Sequence, residues 1–293
     1  MLGFCILAPM GDAVAKILGQ SVPLGQLLLV RFAIQAIILI PFVWATKRTW
    51  RMQGRVLKLT IIRTILHIIG IGMMFTALQY LPLADAVAIA FVMPFIMLLL
   101  GKYVLGEEVG SRRLIACIVG FIGTLLVVQP SFAEVGWPAL LPLGVAVNFS
   151  FFMLITRQIA KQTDPISLQA VSGVMAVGIM LPLLVITSGM GIDALTLIAP
   201  NGFEWGMLSA IGILGTLAHL LMTWSLRFAP SATLAPMQYL EIPIATIIGF
   251  LVFMDLPNGL AAVGIAITIG AGVYIILRER ATSRELSVTP APV

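Results

Sequence analysis

Glu241 carries the most concentrated chemistry in the chain: it lies about nine residues inside an apolar stretch at 232–254, which at ~1.5 Å per residue is roughly 14 Å deep. An ionisable group at the centre of a bilayer costs at least ~2.5 kcal/mol on insertion scales, so it needs a partner, a wet cavity or a task. Gln238 stands three positions earlier and Tyr239 beside it, so one segment offers acceptor, donor and ring to a common cavity. A buried carboxylate that only ties helices together fits the same residue. His67 and His219 lie several turns inside two other apolar stretches; each can exchange a proton near neutral pH or simply bridge two helices. Asn148, followed by Phe151 and Phe152, combines an amide with rings suited to a heteroaromatic ligand, and fits an interhelical amide bond equally. Asp12 and Lys16 are four apart on one helix face, and Arg31 stands roughly 10 Å inside the next stretch. These three read as an ion-pair network that either gates a cavity or holds helices statically. Arg63 is shallow enough to snorkel to the membrane surface and receives no role. No two histidines or cysteines share metal-ligand spacing, so neither metal nor cofactor is expected.

The elements that must position these groups follow from composition. Of 293 residues, 60% are hydrophobic and 10% charged, and the mean hydropathy is +1.10; soluble domains run near a quarter charged. Ten apolar stretches of bilayer length are expected, at approximately 2–19, 24–46, 58–79, 83–105, 113–129, 136–157, 165–187, 205–227, 232–254 and 258–277. Runs such as 86–100 are apolar without period-2 alternation, which excludes a barrel and makes the class all-α. Cys5 and Cys117 fall inside spans and read as small hydrophobes, not a disulfide. The first stretch lacks a basic leader and contains Asp12 and Lys16, so it reads as an uncleaved span.

The net charge of +5 does not point to nucleic acid, because the bases recur in every second loop. Lys47, Arg48, Arg51, Arg55 and Lys58 follow the second span, Arg112 and Arg113 the fourth, Arg157 and Lys161 the sixth, Arg227 the eighth, and Arg278, Arg280 and Arg284 the tenth. The positive-inside rule then puts both termini in the cytoplasm of a multi-pass protein of the inner, cytoplasmic membrane. Residues 281–293 are polar and read as a disordered tail.

Residues 76–107 laid over 224–255 match Leu78 with Leu226, Pro82 with Pro230, Ala84 with Ala232, Gly101 with Gly249 and Glu107 with Asp255. Pro94 and Pro243 fall one residue out of register. The chain therefore divides into five-span halves, 1–130 and 131–280. An odd number of spans per half sends the second copy through the membrane in the opposite sense, an inverted repeat whose interface would be exposed alternately by rocking the halves.

The stretch 75–130 resembles the first EamA repeat of the drug/metabolite transporter superfamily: it has the Leu-Pro-Leu-Ala-Asp-Ala turn, the Pro94 to Glu107 spacing and the Gly120, Gly123 pair. Pro230, Glu241, Pro243, Asp255 and Gly272 resemble the same marks in the second half, with Glu241-Ile242-Pro243 where the family has Glu-Pro. Lys16 and Arg31-Phe32 resemble its early pattern. The resemblance implies ten helices, a central cavity and metabolite transport. The Gly-Asp-Ala-Val-Ala-Lys start is similar to a subgroup that includes bacterial riboflavin and S-adenosylmethionine uptake proteins, which implies a riboflavin-like or other heteroaromatic substrate.

Competing classes find less support. No Gly-x-Ser-Gly, His-Glu-x-x-His or Gly-x-Gly-Asp constellation marks an intramembrane enzyme, and no Walker A sequence marks ATP hydrolysis. Neither an acidic pore ring nor a carbonyl filter marks a channel. The expectation is a secondary transporter whose partners are a small-molecule substrate and the bilayer, with proton coupling through Glu241 and equilibrative transport both compatible. Substrate, direction of transport, coupling ion and oligomeric state are not set by the sequence.

Overall fold

The computed structural model describes residues 1–106, 110–187, 189–229 and 234–288. Glu107, Pro230, Ala232 and the side chain of Cys117 lie outside the described residues. The helices are α1 (Leu2–Leu18), α2 (Leu24–Ala45), α3 (Gly54–Ala77), α4 (Leu83–Ala90), α5 (Met93–Leu105), α6 (Ser111–Val135), α7 (Leu141–Ile159), α8 (Pro165–Thr187), α9 (Gly202–Phe228), α10 (Glu241–Phe253) and α11 (Gly259–Val288). They make ten spans, because α4 and α5 together form the fourth, and a 3-10 segment, Ala235–Leu240, leads into α10 to form the ninth. Seven spans have 22 to 27 residues and are apolar enough to cross a membrane unaided. The first is a 17-residue helix, and the ninth and tenth have shorter apolar portions, Met237–Phe253 and Gly259–Tyr274. α11 continues as helix to Val288, into the segment expected to be a disordered tail. Arg, Glu and Ala are good helix formers and can extend a helix once it has started.

Two spans are broken at equivalent places. α4 ends at Ala90 and α5 begins at Met93 with Pro94 in its first turn. Proline has no N–H to give, and its ring would clash with the carbonyl four residues back. In the ninth span the 3-10 segment hands over to α10 at Glu241, two residues before Pro243. Both broken spans end on a left-handed residue, Gly106 at φ 65° and Met254 at φ 56°. These two caps have the same spacing as the aligned pairs 78 with 226 and 101 with 249. The repeat is therefore present in backbone conformation as well as in residues, and it survives where a side chain incurs a steric penalty for the left-handed turn.

The helix contacts repeat in the same way. The most extensive interfaces are α6 with α11, α2 with α8, α3 with α7 and α1 with α9, which are spans five with ten, two with seven, three with six and one with eight. Exchanging each span for its counterpart in the other half maps this set onto itself, as an inverted repeat requires. Every one of these interfaces joins a helix of the first half to one of the second, so moving 1–130 as a body against 131–280 would break all four. Motion that preserves the large interfaces must carry helices in cross-half pairs.

Glycine sets the tightest approach. A Cβ on Gly264 of α11 would land on the carbonyl oxygen of Gly123 in α6, and a Cβ on Gly123 would come within 2.7 Å of the Gly264 carbonyl oxygen. Thr268 seals the crossing by donating to the carbonyls of Gly120 at 3.3 Å and Gly264 at 2.9 Å. Small residues at a helix crossing let backbones meet where lipid supplies no hydrophobic drive.

The alternate loops gather at opposite ends of the bundle. At one, the basic end, Arg48 pairs with Asp164, Arg55 donates to Gln158 at 3.0 Å, and Arg157 donates to the Leu226 carbonyl at 2.6 Å. At the other, Gln26 exchanges hydrogen bonds with the backbone of Ile198, and Asn201 with Glu204 forms a capping box that starts α9.

Candidate functional site

The interrupted ninth span places Glu241 at the first residue of α10, where the 3-10 segment hands over to α-helix. The carboxylate lines a central cavity with about 820 Å³ of non-atom space, counting the part open to solvent. Among the lining residues, four have charged or imidazole side chains: Asp12 from α1, Arg31 from α2, His219 from α9, and Glu241. The wall between them is apolar and aromatic, with Phe4, Phe75, Phe91 and Phe149. A few convergent polar groups in an apolar concavity is the usual form of a small-molecule site.

Arg31 is 2% exposed and Nη2 lies 3.2 Å from His219 Nδ1. Nδ1 also sits 3.0 Å from the Gly215 carbonyl; it accepts from Arg31 in one tautomer and donates to Gly215 in the other. Among the described residues, Arg31 Nη1 and His219 Nε2 have no hydrogen-bond partner. Gly215 makes room for the arrangement, since a Cβ there would lie 2.8 Å from Arg31 Nε and Nη2.

His67 is brought to the same centre from α3. Its ring centroid is 4.3 Å from that of His219 and 4.7 Å from that of Phe152, and neither ring nitrogen has a hydrogen-bond partner among the described residues. It does not line the cavity; Gly70, one turn further along α3, does.

The remaining sequence candidates sit outside the cavity wall. Asn148 donates to the Leu66 carbonyl at 2.7 Å, and a Cβ on Gly70 would strike its amide nitrogen. That is the interhelical amide reading, joining α7 to α3. Gln238 is fully buried with Nε2 3.5 Å from Met153 Sδ, and Tyr239 packs its ring 5.3 Å from Phe91 and against Gly120 and Gly272. Both back the cavity from behind. Neither lines the cavity that Glu241 lines.

The Asp12, Lys16, Arg31 network divides. Lys16 pairs with Asp255 at 3.3 Å, donates to the Leu81 carbonyl at 2.8 Å and lies 5.0 Å from the Phe253 ring centroid, which ties α1 to both the three–four and the nine–ten loops. Asp12 makes no ion pair within 4 Å among the described residues and faces the cavity with Arg31. Helical spacing puts Asp12 and Lys16 on one face, but the long lysine side chain reaches a carboxylate 239 residues away.

Arg63 is a correction. It does not snorkel: it is fully buried and donates to Thr156 Oγ1 at 2.8 Å, Ser172 Oγ at 2.8 Å and Gln169 Oε1 at 3.3 Å, with its guanidinium carbon 4.5 Å from the Phe152 centroid. The signal that could have found it is its place four residues before His67, on one helix face.

Ten spans as an inverted repeat around a central, sparsely polar cavity define a membrane transporter of small molecules. The profile of the EamA-like transporter family matches residues 1–129 and again 136–278. The chain belongs to that family, within the drug/metabolite transporter superfamily. It is 30% identical over 226 residues to a riboflavin transporter of Brucella anthropi, covering 77% of this chain and 78% of that one. It is 25% identical over 269 residues to an S-adenosylmethionine uptake transporter of Rickettsia felis, covering 92% and 88%. A pseudopaline exporter of Pseudomonas aeruginosa is 23% identical over 274 residues, covering 93% and 90%.

Proposed function

We propose that this protein is a secondary transporter that carries a small polar metabolite with a heteroaromatic ring across the cytoplasmic membrane by alternating access. The observation that carries the reading is the cavity itself. Asp12, Glu241, Arg31 and His219 line a cavity whose walls are otherwise apolar and aromatic. Rings stack on such walls, while the polar groups fix orientation. The basic end faces the cytoplasm by the positive-inside rule, so both termini lie there. The relatives named for riboflavin and S-adenosylmethionine uptake support a heteroaromatic cargo.

Lys16 serves as a tie at the end opposite the basic one, closing α1 against the Leu81 and Asp255 loops. Both ends hold ties between the halves, Lys16 with Asp255 here and Arg48 with Asp164 there, and alternating access needs one set to open while the other holds. Lys16→Met is expected to raise the rate at which a membrane-impermeant thiol reagent labels Ala8→Cys severalfold from the outer face, in a chain without Cys5 and Cys117. An unchanged rate would make the Lys16 contacts a static tie.

The reading is tested by uptake of labelled riboflavin, S-adenosylmethionine and a set of amino acids into sealed vesicles holding the purified protein, against empty vesicles. Saturable uptake of one compound is expected. Efflux of that compound from loaded vesicles without uptake would assign export, and no movement of any compound in either direction would contradict the substrate class.

A further inference from the structure

Arg63 is a second buried cation that the cavity does not use. Its three hydrogen bonds go to a threonine hydroxyl, a serine hydroxyl and an amide oxygen, and no carboxylate lies within ion-pair distance of it among the described residues. Neutral acceptors satisfy its geometry without neutralising its charge. A cation held away from water is normally paired, so this one is poised for an anion that comes and goes.

Its partner Ser172 is the repeat's counterpart of Arg31. Arg31 is the eighth residue of α2 and bonds to α9; Ser172 is the eighth residue of α8 and accepts from Arg63 in α3. Under the span exchange that relates the halves, two with eight becomes seven with three. One guanidinium thus stands about two turns from the outer end of the bundle and the other about two turns from the basic end. Between them His67 is fully buried with both ring nitrogens unpartnered among the described residues, its ring packed at a tilt against those of His219 and Phe152, the latter covered by Arg63. The sequence Arg31, His219, His67, Phe152, Arg63 is a continuous run of donors and rings through the middle of the bundle.

We propose that the transported metabolite carries an anionic oxygen group, a carboxylate or a phosphate, which Arg31 and His219 hold in the cavity and which Arg63, past His67, takes over at the basic end. This rests on the transporter reading and narrows its substrate class. Charge-assisted bonds to a carboxylate or phosphate are about twice as strong as neutral ones, and a guanidinium offers two of them in parallel. Arg63 has five N–H groups and uses three in the present arrangement.

The test compares compounds that differ only in the anion: S-adenosylmethionine with its decarboxylated form, and riboflavin with its 5′-phosphate. Half-saturating concentrations are measured from each face in sealed vesicles of known orientation. The anionic member of one pair is expected to be favoured about tenfold over its partner, and the favoured pair tells carboxylate from phosphate. Arg31→Gln is expected to erase the preference from the outer face. Gln169→Glu places a permanent carboxylate against Arg63 and is expected to erase the preference from the basic face alone, with an equal or higher melting temperature. Arg63→Gln should act as Gln169→Glu does, which keeps the question answerable if either variant folds poorly. A purely structural Arg63 would be strengthened by Gln169→Glu and show no change in preference, and that result overturns the hand-off. Equal transport of both members of each pair overturns the anion requirement while leaving the transporter reading intact; no transport of any member overturns both.

Discussion

Glu241→Gln is expected to cut saturable uptake by roughly tenfold or more while leaving the melting temperature and membrane abundance unchanged. The exchange preserves the shape of a side chain that lines the cavity and replaces its carboxyl group with an amide that cannot exchange a proton. A charge-assisted hydrogen bond contributes ~1.5–3 kcal/mol, and each ~1.4 kcal/mol is a factor of ten in affinity. Glu241 is also the first residue of α10, so glutamine keeps the backbone transition from 3-10 to α-helix intact. The check is uptake rate against substrate concentration, with thermal unfolding of the same preparation. Equal uptake by the variant removes Glu241 from the transport path and leaves it as a tie between α10 and its neighbours.

Gly264→Val should lower stability markedly. The added Cβ would meet a backbone carbonyl, that of Gly123, and would also press on Val127 Cγ2 at 2.9 Å and Leu126 Cβ at 3.0 Å. A backbone atom cannot rotate aside as a side chain can, so α6 and α11 must separate. Overpacking of this kind costs about 1–3 kcal/mol, and at this crossing it also weakens the bonds from Thr268. Gly270→Val on the same helix is the control, since a Cβ there meets nothing within 4 Å. A marked fall in melting temperature for position 264 and none for 270 is expected. Similar melting for the two variants would mean that the crossing has slack that the close contacts do not suggest.

Much of the fold is legible in the sequence because membrane spans announce themselves. Apolar length sets the ten spans, the alternation of basic loops sets their alternate ends, and the residue matches between the halves set the repeat, which the left-handed caps at Gly106 and Met254 reproduce in backbone. Pro94 and Pro243 stand out as internal prolines, but where each helix breaks depends on the turn before the proline. The 3-10 segment at 235–240 is therefore not readable from residue types alone.

The site is legible one residue at a time, and its connectivity is not. Arg31, His219, Asp12 and Glu241 each stand out as intramembrane polar groups, and the fold brings all four to one cavity. Which of them touch depends on helix pairs such as two with eight, a matter of packing between segments 188 residues apart. The same dependence gives Lys16 a carboxylate, Asp255, that helical spacing does not suggest. Depth alone cannot separate a side chain that snorkels outward from one that turns inward, and Arg63 turns inward to Thr156, Ser172 and Gln169.

The most direct test of alternating access through this cavity is counterflow. Vesicles holding the purified protein are loaded with a high concentration of an unlabelled compound that it carries, then diluted into a trace of the same compound with a label. A carrier that exposes one cavity alternately to the two faces exchanges outgoing for incoming molecules, so the label should rise transiently above its equilibrium level and then decay. A monotonic rise to equilibrium, with no overshoot at any loading, would contradict a single cavity exposed in turn and point instead to a continuous pore.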